Sequence, residues 1–503
     1  MTQPGESLDP AAGAGRNRYL LGAAVLLATG LWAYGATANV FWQDEFFSLN
    51  TALRPLGGTL HQALYFELQP PLYFLILHFW VKMAATPLFG RALSLLFTLG
   101  TVLVMNRLGR DLDLRRGIHL GLLAALTPAV VWAGVQTRTY SLQILLVSCT
   151  ILLFVRLWVQ ERPARVSSYA LYGACCYGAL MTGYYAGFVL AGQFLAAWIG
   201  ARRRRQLLAT FGAVTVAFLP WVPTVLTQVA THPVSYVPRQ PITTGGDVLV
   251  MAGQIMVWAW RSVLQAVLRG PLVNRGLVVA GLTAAVLSVI ALRLGARPRR
   301  RLGRAEWMLG IVALVPAMAL LILHGFDLAF VGVRHWSVVV PGMLALATLV
   351  VSRTSRWDVR ISGWLLAGVL GLGLVSTLRN LNPVDWRSAG RYIASSRHPG
   401  EPVAVFPSHG LGPLGYYLAD RSALYGLPAQ DSLTSLLPLT SRHELERRIG
   451  RLVVPGDDFW LVRGHVDVGP HVGSNYLDDY LEDLPVLERR EFSGLTVFHL
   501  RLP

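Results

Sequence analysis

Lysine is nearly missing from this chain: Lys82 is the single one among 44 basic residues. Acids are sparse as well, 27 in 503 residues, and charged residues of all kinds reach only 14% against 53% hydrophobic. Soluble globular chains are nearer a quarter charged, so a chain built only of soluble domains is excluded. Cysteine is almost absent. Cys149, Cys175 and Cys176 all lie in apolar runs, and none pairs with a histidine at metal-ligand spacing. That excludes a disulfide framework and leaves them as small buried hydrophobes. No repeat of fixed period is present, and no glycine-rich nucleotide loop stands out, which leaves a nucleotide-driven step without support. Neither a metal nor another cofactor is indicated, although a divalent metal is compatible with the sequence. The net charge of +17 would suit nucleic acid if it covered one face. Instead the arginines sit in short links between apolar runs, which points to membrane lipid and away from nucleic acid.

What is present is repeated membrane crossing. Residues 19–38 form the first apolar run, preceded by Arg16 and Arg18. Ala36-Thr37-Ala38 resembles a signal-peptidase site, but the run exceeds a signal core of about 7–15 residues and others follow, so it reads as an uncleaved anchor. The positive-inside rule then places residues 1–18 in the cytoplasm. Further spans are expected at 87–105, 118–135, 142–157, 169–181, 186–199, 207–226, 272–294, 307–323, 336–351 and 361–375. With alternate crossings, every dense arginine cluster falls on the cytoplasmic side, for about eleven spans in all. Two apolar stretches, 71–81 and 246–269, would invert that order if they crossed. The first is short of the roughly 20 residues a span needs, and both read as helices at the outer interface. After Asn380 the composition becomes that of a soluble domain. Strands are expected at 402–406, 459–462 and 495–500, and helices at 387–395 and 442–449. The fold class is thus a polytopic α-helical membrane domain, 19–379, with a first outer loop at 41–86, followed by a small α/β extracytoplasmic domain, 380–503.

The unusual polar residues gather on the outer side. Asp44 and Glu45 lie among aromatics about five residues past the first span. Apolar surroundings disfavour a charged carboxylate, which turns it toward a base; equally, the pair could face water or open the next helix. His61, Glu67 and Gln69 follow, then Pro70-Pro71-Leu72-Tyr73, where the prolines start a helix. Gln136, Arg138 and Tyr140 form another outer cluster. Arg138 either snorkels or grips an anionic headgroup, and the residues alone leave both open. Tyr184 and Tyr185 suit an aromatic belt. Arg334 and His335 open a later span from the outside, against the charge trend, and call for a partner. The carboxylates suit proton abstraction from a hydroxyl, the cations suit phosphate, and the aromatics and amides suit a sugar or an isoprenoid chain.

These residues resemble those of the GT-C superfamily of lipid-linked-sugar glycosyltransferases. The nearest likeness is the bacterial glycosyltransferase family 39 group, akin to protein O-mannosyltransferases and to the aminoarabinose transferase of lipid A. Trp42-Gln43-Asp44-Glu45 matches the acidic pair of the first outer loop. Gln69-Pro70-Pro71-Leu72-Tyr73 matches a His-Pro-Pro-Leu-Tyr helix start, with Gln69 in place of His. Gln136-Thr137-Arg138-Thr139-Tyr140 matches a Glu-Ala-Arg-x-Tyr stretch, with Gln136 in place of Glu. Leu219-Pro220-Trp221-Val222-Pro223 matches a recurrent Leu-Pro-Trp motif, and Asp385-Trp386-Arg387 resembles the start of the outer domain. The resemblance covers most of residues 19–400. It implies a polyprenyl-phosphate-linked sugar donor, a lipid, glycan or protein acceptor, and an inverting transfer outside the cytoplasmic membrane. Asp44 would be the base, with Glu45 beside it, and Arg138, Tyr140, Arg334 and His335 would hold donor phosphate. His61, Gln69, Tyr73, Gln136, Tyr184 and Tyr185 would line the substrate pocket, and Arg138→Ala would cost donor use more than fold stability. Two rival readings remain. A transporter would want ionisable groups at mid-membrane, where the spans have few. A non-catalytic glycan-assembly subunit would keep the fold and lose the chemistry.

Overall fold

The computed structural model describes residues 10–112, 114, 119–231, 303–325, 333–352, 374, 377–378, 384–418, 420–428, 439–465 and 474–503. The expected spans at 272–294 and 361–375, the interfacial helix at 246–269 and the count of about eleven therefore fall wholly or largely outside the described residues. By contacts the chain forms two compact units, Met1–Ala36 with Ala52–Asn380, and Thr37–Thr51 with Leu381–Pro503. Residues 37–51, read from the sequence as the end of the first span and the start of the first outer loop, go with the second unit.

The first unit is helical. Among the described residues five helices are long and apolar enough to cross a membrane: Asn17–Ala38, Pro87–Asp111, Tyr140–Val159, Arg204–Ala230 and Arg304–Leu323. In chain order the elements begin with α1 (Pro10–Ala38), α2 (Gln43–Leu53), α3 (Leu56–Tyr65), α4 (Leu72–Val81) and α5 (Pro87–Asp111). The helix α4, only ten residues long, buries Tyr73, Phe74, Leu77, His78 and Val81. Next are α6 (Leu120–Leu126) and α7 (Pro128–Gly134). The sequence suggests one span over 118–135, but the helix breaks between them. Pro128 has no N–H to donate and its ring clashes with the preceding turn, so it opens a new helix with Thr127 extended before it.

The helix α8 (Tyr140–Phe154) continues through a π turn, Val155–Val159. It is followed by α9 (Val166–Leu180), α10 (Ala186–Gly200), α11 (Arg204–Phe218) and α12 (Val222–Thr231). Leu219-Pro220-Trp221 forms a short 3-10 turn that joins the last two. After the undescribed stretch come α13 (Arg304–Gly325), a 3-10 turn Val333–Val338, and α14 (Val340–Ser352).

One end of this unit is tied by arginines. The side chain of Asp111 is 5% exposed and takes Arg156 Nε at 2.5 Å, Arg162 Nη1 at 3.3 Å and Arg107 Nε at 3.6 Å. Glu161 accepts from Arg304 Nη2 at 2.6 Å and from the Arg202 backbone N–H at 2.8 Å. The Arg304 bond is the main cause that holds the Glu161 carboxyl below its ordinary range. Arg304 also reaches the carbonyls of Trp158 and Gly200. The end of α5 thus meets the π turn and the link after it through Asp111, and that turn and link meet the end of α10 and the start of α13 through Arg304.

The second unit holds a five-stranded sheet of order β2-β1-β3-β5-β4. Its strands are β1 (Val403–Phe406), β2 (Leu424–Gly426), β3 (Asp458–Gly464), β4 (Val486–Phe492) and β5 (Leu495–Arg501). β1 runs parallel to β2 and β3, while β5 is antiparallel to β3 and β4. Alternate residues of β1 enter two apolar layers. Val403 and Val405 pack with Trp386, Ile393 and Leu414, from α15 (Trp386–Ser396) and α16 (Leu411–Tyr417). Ala404 and Phe406 pack with Leu445, Ile449 and Leu477, from α17 (Arg442–Ile449) and α18 (Ser474–Glu482). Burial on both faces explains the continuous apolar run of β1.

Helix packing in the first unit depends on small residues. A Cβ on Gly192 of α10 would stand 3.2 Å from the Ile311 carbonyl oxygen and 3.3 Å from Val312 Cα of α13. Backbone cannot yield as a side chain can, so close approach of these helices requires glycine here. Gly192→Leu is expected to cost about 1–3 kcal/mol or more through overpacking. Thermal unfolding of the detergent-purified protein should show a lowered midpoint, while Gly310→Leu, with nothing within 4 Å, should leave it unchanged.

Candidate functional site

In the first unit the end opposite the Asp111 cluster carries the polar groups. The link from α7 to α8 is almost wholly buried: Gln136, Thr137, Arg138, Thr139 and Tyr140 are each no more than 4% exposed. Arg138 N–H turns back onto the Gln136 carbonyl at 2.9 Å, and Ser94 Oγ donates to the same carbonyl at 2.6 Å. Arg138 Nη1 donates to Glu67 Oε2 at 2.8 Å, with side chains 5% and 3% exposed. Thr139 Oγ1 donates to Gln69 Oε1 at 3.3 Å. Leu68 lies between those two partners with φ +51°, a left-handed conformation that costs a leucine about 1–2 kcal/mol. The turn after α3 thereby presents Glu67 and Gln69 to the same buried link. Neither end of the Gln136 amide finds a partner among the described residues.

Other candidates join this end. Tyr140 packs on Trp132, ring centroids 5.0 Å apart. Tyr185 lies 4.7 Å from the His335 ring. Burial is the main influence on both neighbouring phenols and pushes each up to about 12. The Arg334 charge opposes it at Tyr185, and a hydrogen bond with Gln228 opposes it at Tyr184. Arg334, Tyr140, Tyr185 and His335 therefore form one neighbourhood. Tyr184 packs near Phe218 at 6.3 Å. Two further candidates have different surroundings. His61 is exposed beside Tyr65, on the flank of α3. Tyr73 is 0% exposed against Phe74 and serves the core, because the two prolines that start α4 turn it inward.

In the second unit Asp44 and Glu45 occupy the first turn of α2, where acids suit the exposed N–H groups. Glu45 is 0% exposed and Asp44 half-buried. Phe41 and Phe46 pack edge to face at 6.3 Å and both meet Tyr416, at 5.2 and 5.8 Å. The Phe41 N–H donates to the Tyr417 hydroxyl at 3.1 Å. The Asp385-Trp386-Arg387 motif explains itself here. Asp385 Oδ1 caps α15 by accepting from Ser388 N at 3.0 Å, and Trp386 enters the core. Arg387 donates to the carbonyls of Thr37, Ala38 and Asn39.

Glu67, named in the sequence beside His61 and Gln69 but given no role there, is the partner of Arg138. Its signal was an acid in an otherwise acid-poor outer link. The ion pair also gives the Arg138 guanidinium a part in the fold. Removing one partner of a buried pair costs about 3–5 kcal/mol. Glu67→Ala and Arg138→Ala should each lower the unfolding midpoint strongly, and the double variant Glu67→Leu/Arg138→Met should recover much of the loss. Single variants as stable as the parent would show a pair without structural weight.

No protein-family model matches the chain, and no curated protein matches it. Solved structures do match. ArnT from Cupriavidus metallidurans in the apo state aligns with a TM-score of 0.57 at 14% identity, covering 97% of this chain and 98% of that one. The same protein bound to undecaprenyl phosphate gives a TM-score of 0.52 at 15% identity, covering 95% and 97%. The Archaeoglobus fulgidus oligosaccharyltransferase in complex with zinc and sulfate gives 0.42 at 12% identity, covering 88% and 68%. With this likeness along nearly its whole length, the chain shares the fold of ArnT, and among the described residues it carries five helices long and apolar enough to cross a membrane.

Proposed function

We propose that this chain is an inverting glycosyltransferase that moves a sugar from a polyprenyl-phosphate donor to a hydroxyl acceptor on the outer face of the cytoplasmic membrane. The observation that carries this reading is the full-length likeness to ArnT, a protein captured with undecaprenyl phosphate. The acceptor is a lipid, glycan or protein. Asp44 is the base: it takes the hydroxyl proton as that oxygen attacks the anomeric carbon, and the bond from that carbon to the phosphate oxygen breaks. Polyprenyl phosphate leaves with the electron pair and the proton stays on the carboxyl. Burial favours Asp44 over its neighbour, because Glu45 is 0% exposed and serves to fix the helix start.

Donor phosphate is held by Arg334 with His335, Tyr140 and Tyr185 around it. Arg334 is half-buried, whereas Arg138 gives one of its guanidinium N–H groups to Glu67. Gln69 and Gln136, neutral where the resembled pattern has ionisable groups, sit on or within the buried link and are not needed for proton transfer. The non-catalytic reading therefore gains nothing from them.

Asp44→Asn should leave folding near normal and lower turnover by roughly 10²–10⁴-fold, the scale of general-base catalysis. The measurement is transfer of labelled sugar from a polyprenyl-phosphate donor by purified variants, with thermal unfolding as control. Wild-type turnover in Asp44→Asn would move the base elsewhere or end the enzyme reading.

The same proposal puts residues 380–503 outside the cytoplasm. The arginine-tied ends of α5, α8 and α10 suit the cytoplasmic side, opposite the Arg138 link. A C-terminal reporter that works only outside the cytoplasm should be active. Activity of a cytoplasm-only reporter would reverse the orientation.

A further inference from the structure

Three donor side chains meet at one end of the sheet in the second unit. Glu401 stands two residues before β1, Asp458 opens β3 and His499 lies near the end of β5. One ligand atom from each lies within 4.8 Å of the others. The strand register makes this meeting obligatory, because Trp460 pairs with both Val403 and His499, and Asp458 pairs with Arg501.

The site is also oriented. Glu401 Oε2 accepts from Trp460 Nε1 and from the His398 backbone N–H, both at 2.9 Å. Its other oxygen, Oε1, faces His499 Nε2 at 3.9 Å, too far for a hydrogen bond. The His499 ring stacks on Trp460 at 4.3 Å and 7°, which fixes where Nε2 points. That nitrogen is buried and has no hydrogen-bond partner among the described residues. Asp458 is held by Arg501 through Nε at 2.7 Å and Nη2 at 3.0 Å. Each carboxylate oxygen keeps a second lone pair, so Asp458 can still ligate.

We propose that Glu401, Asp458 and His499 form a binding site for one divalent cation of the zinc type, which pins the entry of β1 to β3 and β5. An imidazole nitrogen with two carboxylate oxygens is a donor set for zinc more than for magnesium or calcium, which prefer oxygen alone. Around zinc, ligand atoms stand about 3.4 Å apart, so these donors draw together modestly on binding. Two carboxylates and one arginine leave net negative charge to receive the ion. The alternative is a plain ion pair between protonated His499 and Glu401, which needs no metal.

The test uses the full-length, untagged protein in detergent, stripped with a chelator and dialysed. Zinc alone is titrated against a chromophoric competitor, and thermal unfolding is followed in parallel. The expected result is one saturable site in the micromolar range or tighter, a raised unfolding midpoint, and no competition from equal magnesium. His499→Gln and Glu401→Gln should each weaken binding more than about tenfold, the least that loss of even an outer partner costs. His465→Gln, in the same unit but bonded to Thr496, should bind as the parent does. Absence of saturable uptake at micromolar zinc overturns the site. So does unchanged affinity in either folded variant, and Glu401→Gln decides if His499→Gln fails to fold.

Discussion

A charged side chain left in hydrocarbon has no water to solvate it, so a helix that crosses a bilayer must bring its charges to its ends and pair them there. The span Tyr140–Val159 shows how far the first unit obeys this rule. Its 20 residues make about 30 Å of helix at 1.5 Å each, the thickness of a hydrocarbon core. Arg138 and its Glu67 partner stand just before it, and Arg156, bound to Asp111, sits in its last turn. A buried ion pair at one end and a partly exposed one at the other therefore bracket one helix. The helices packed against it inherit the same two levels: α5 ends in Asp111, and α13 begins with Arg304 on Glu161.

Both levels carry backbone strain. Among the described residues, Leu68 and Glu161 are the non-glycine positions with positive φ, at 51° and 49°. Each stands in a link that delivers a carboxylate to an arginine. Left-handed conformations cost a side-chain-bearing residue about 1–2 kcal/mol, and a buried ion pair that would otherwise lose a partner can hold a turn against that cost. The strain is therefore read as a consequence of charge pairing at the helix ends, with chain flexibility playing no part. It also has a use at the Arg138 level, where the turn at Leu68 points Glu67 and Gln69 to the same link.

Much of this was legible in the sequence because it follows from one-dimensional patterns. Apolar runs and arginine clusters marked α8, α10 and α13 within a few residues, while α1 begins nine residues earlier and α5 ends six residues later than the apolar runs that mark them. Apolar β-branched and aromatic runs gave β1, β3 and β5, which are buried centrally. The strands that escaped lack that signal. Val486–Phe492 is an exposed edge strand rich in charge, which is how edges avoid mispairing, and Leu424–Gly426 is only three residues. The break at Pro128 was legible too, since proline marks helix starts, but an apolar run of span length outweighed it. Tertiary partnership was the least visible. No local pattern assigns 37–51 to a sheet domain more than three hundred residues later; tertiary contacts with Arg387, Tyr416 and Tyr417 do.

The two glutamines that depart from the resembled pattern take on a physical meaning once their burial is known. Gln136 is 0% exposed in the link that carries Arg138. A glutamate at that depth would have to be neutralised or share the guanidinium with Glu67, since an isolated ionised carboxylate is strongly disfavoured there. With an amide at 136 the link is one unit of charge more positive than with a glutamate there, and Arg138 keeps Glu67 as an acid partner. Gln69 gives a similar result: its amide oxygen accepts from Thr139, a bond that a charged imidazolium could not accept. The two amides therefore make this end of the helices less acidic and less dependent on pH while keeping its hydrogen-bonded frame.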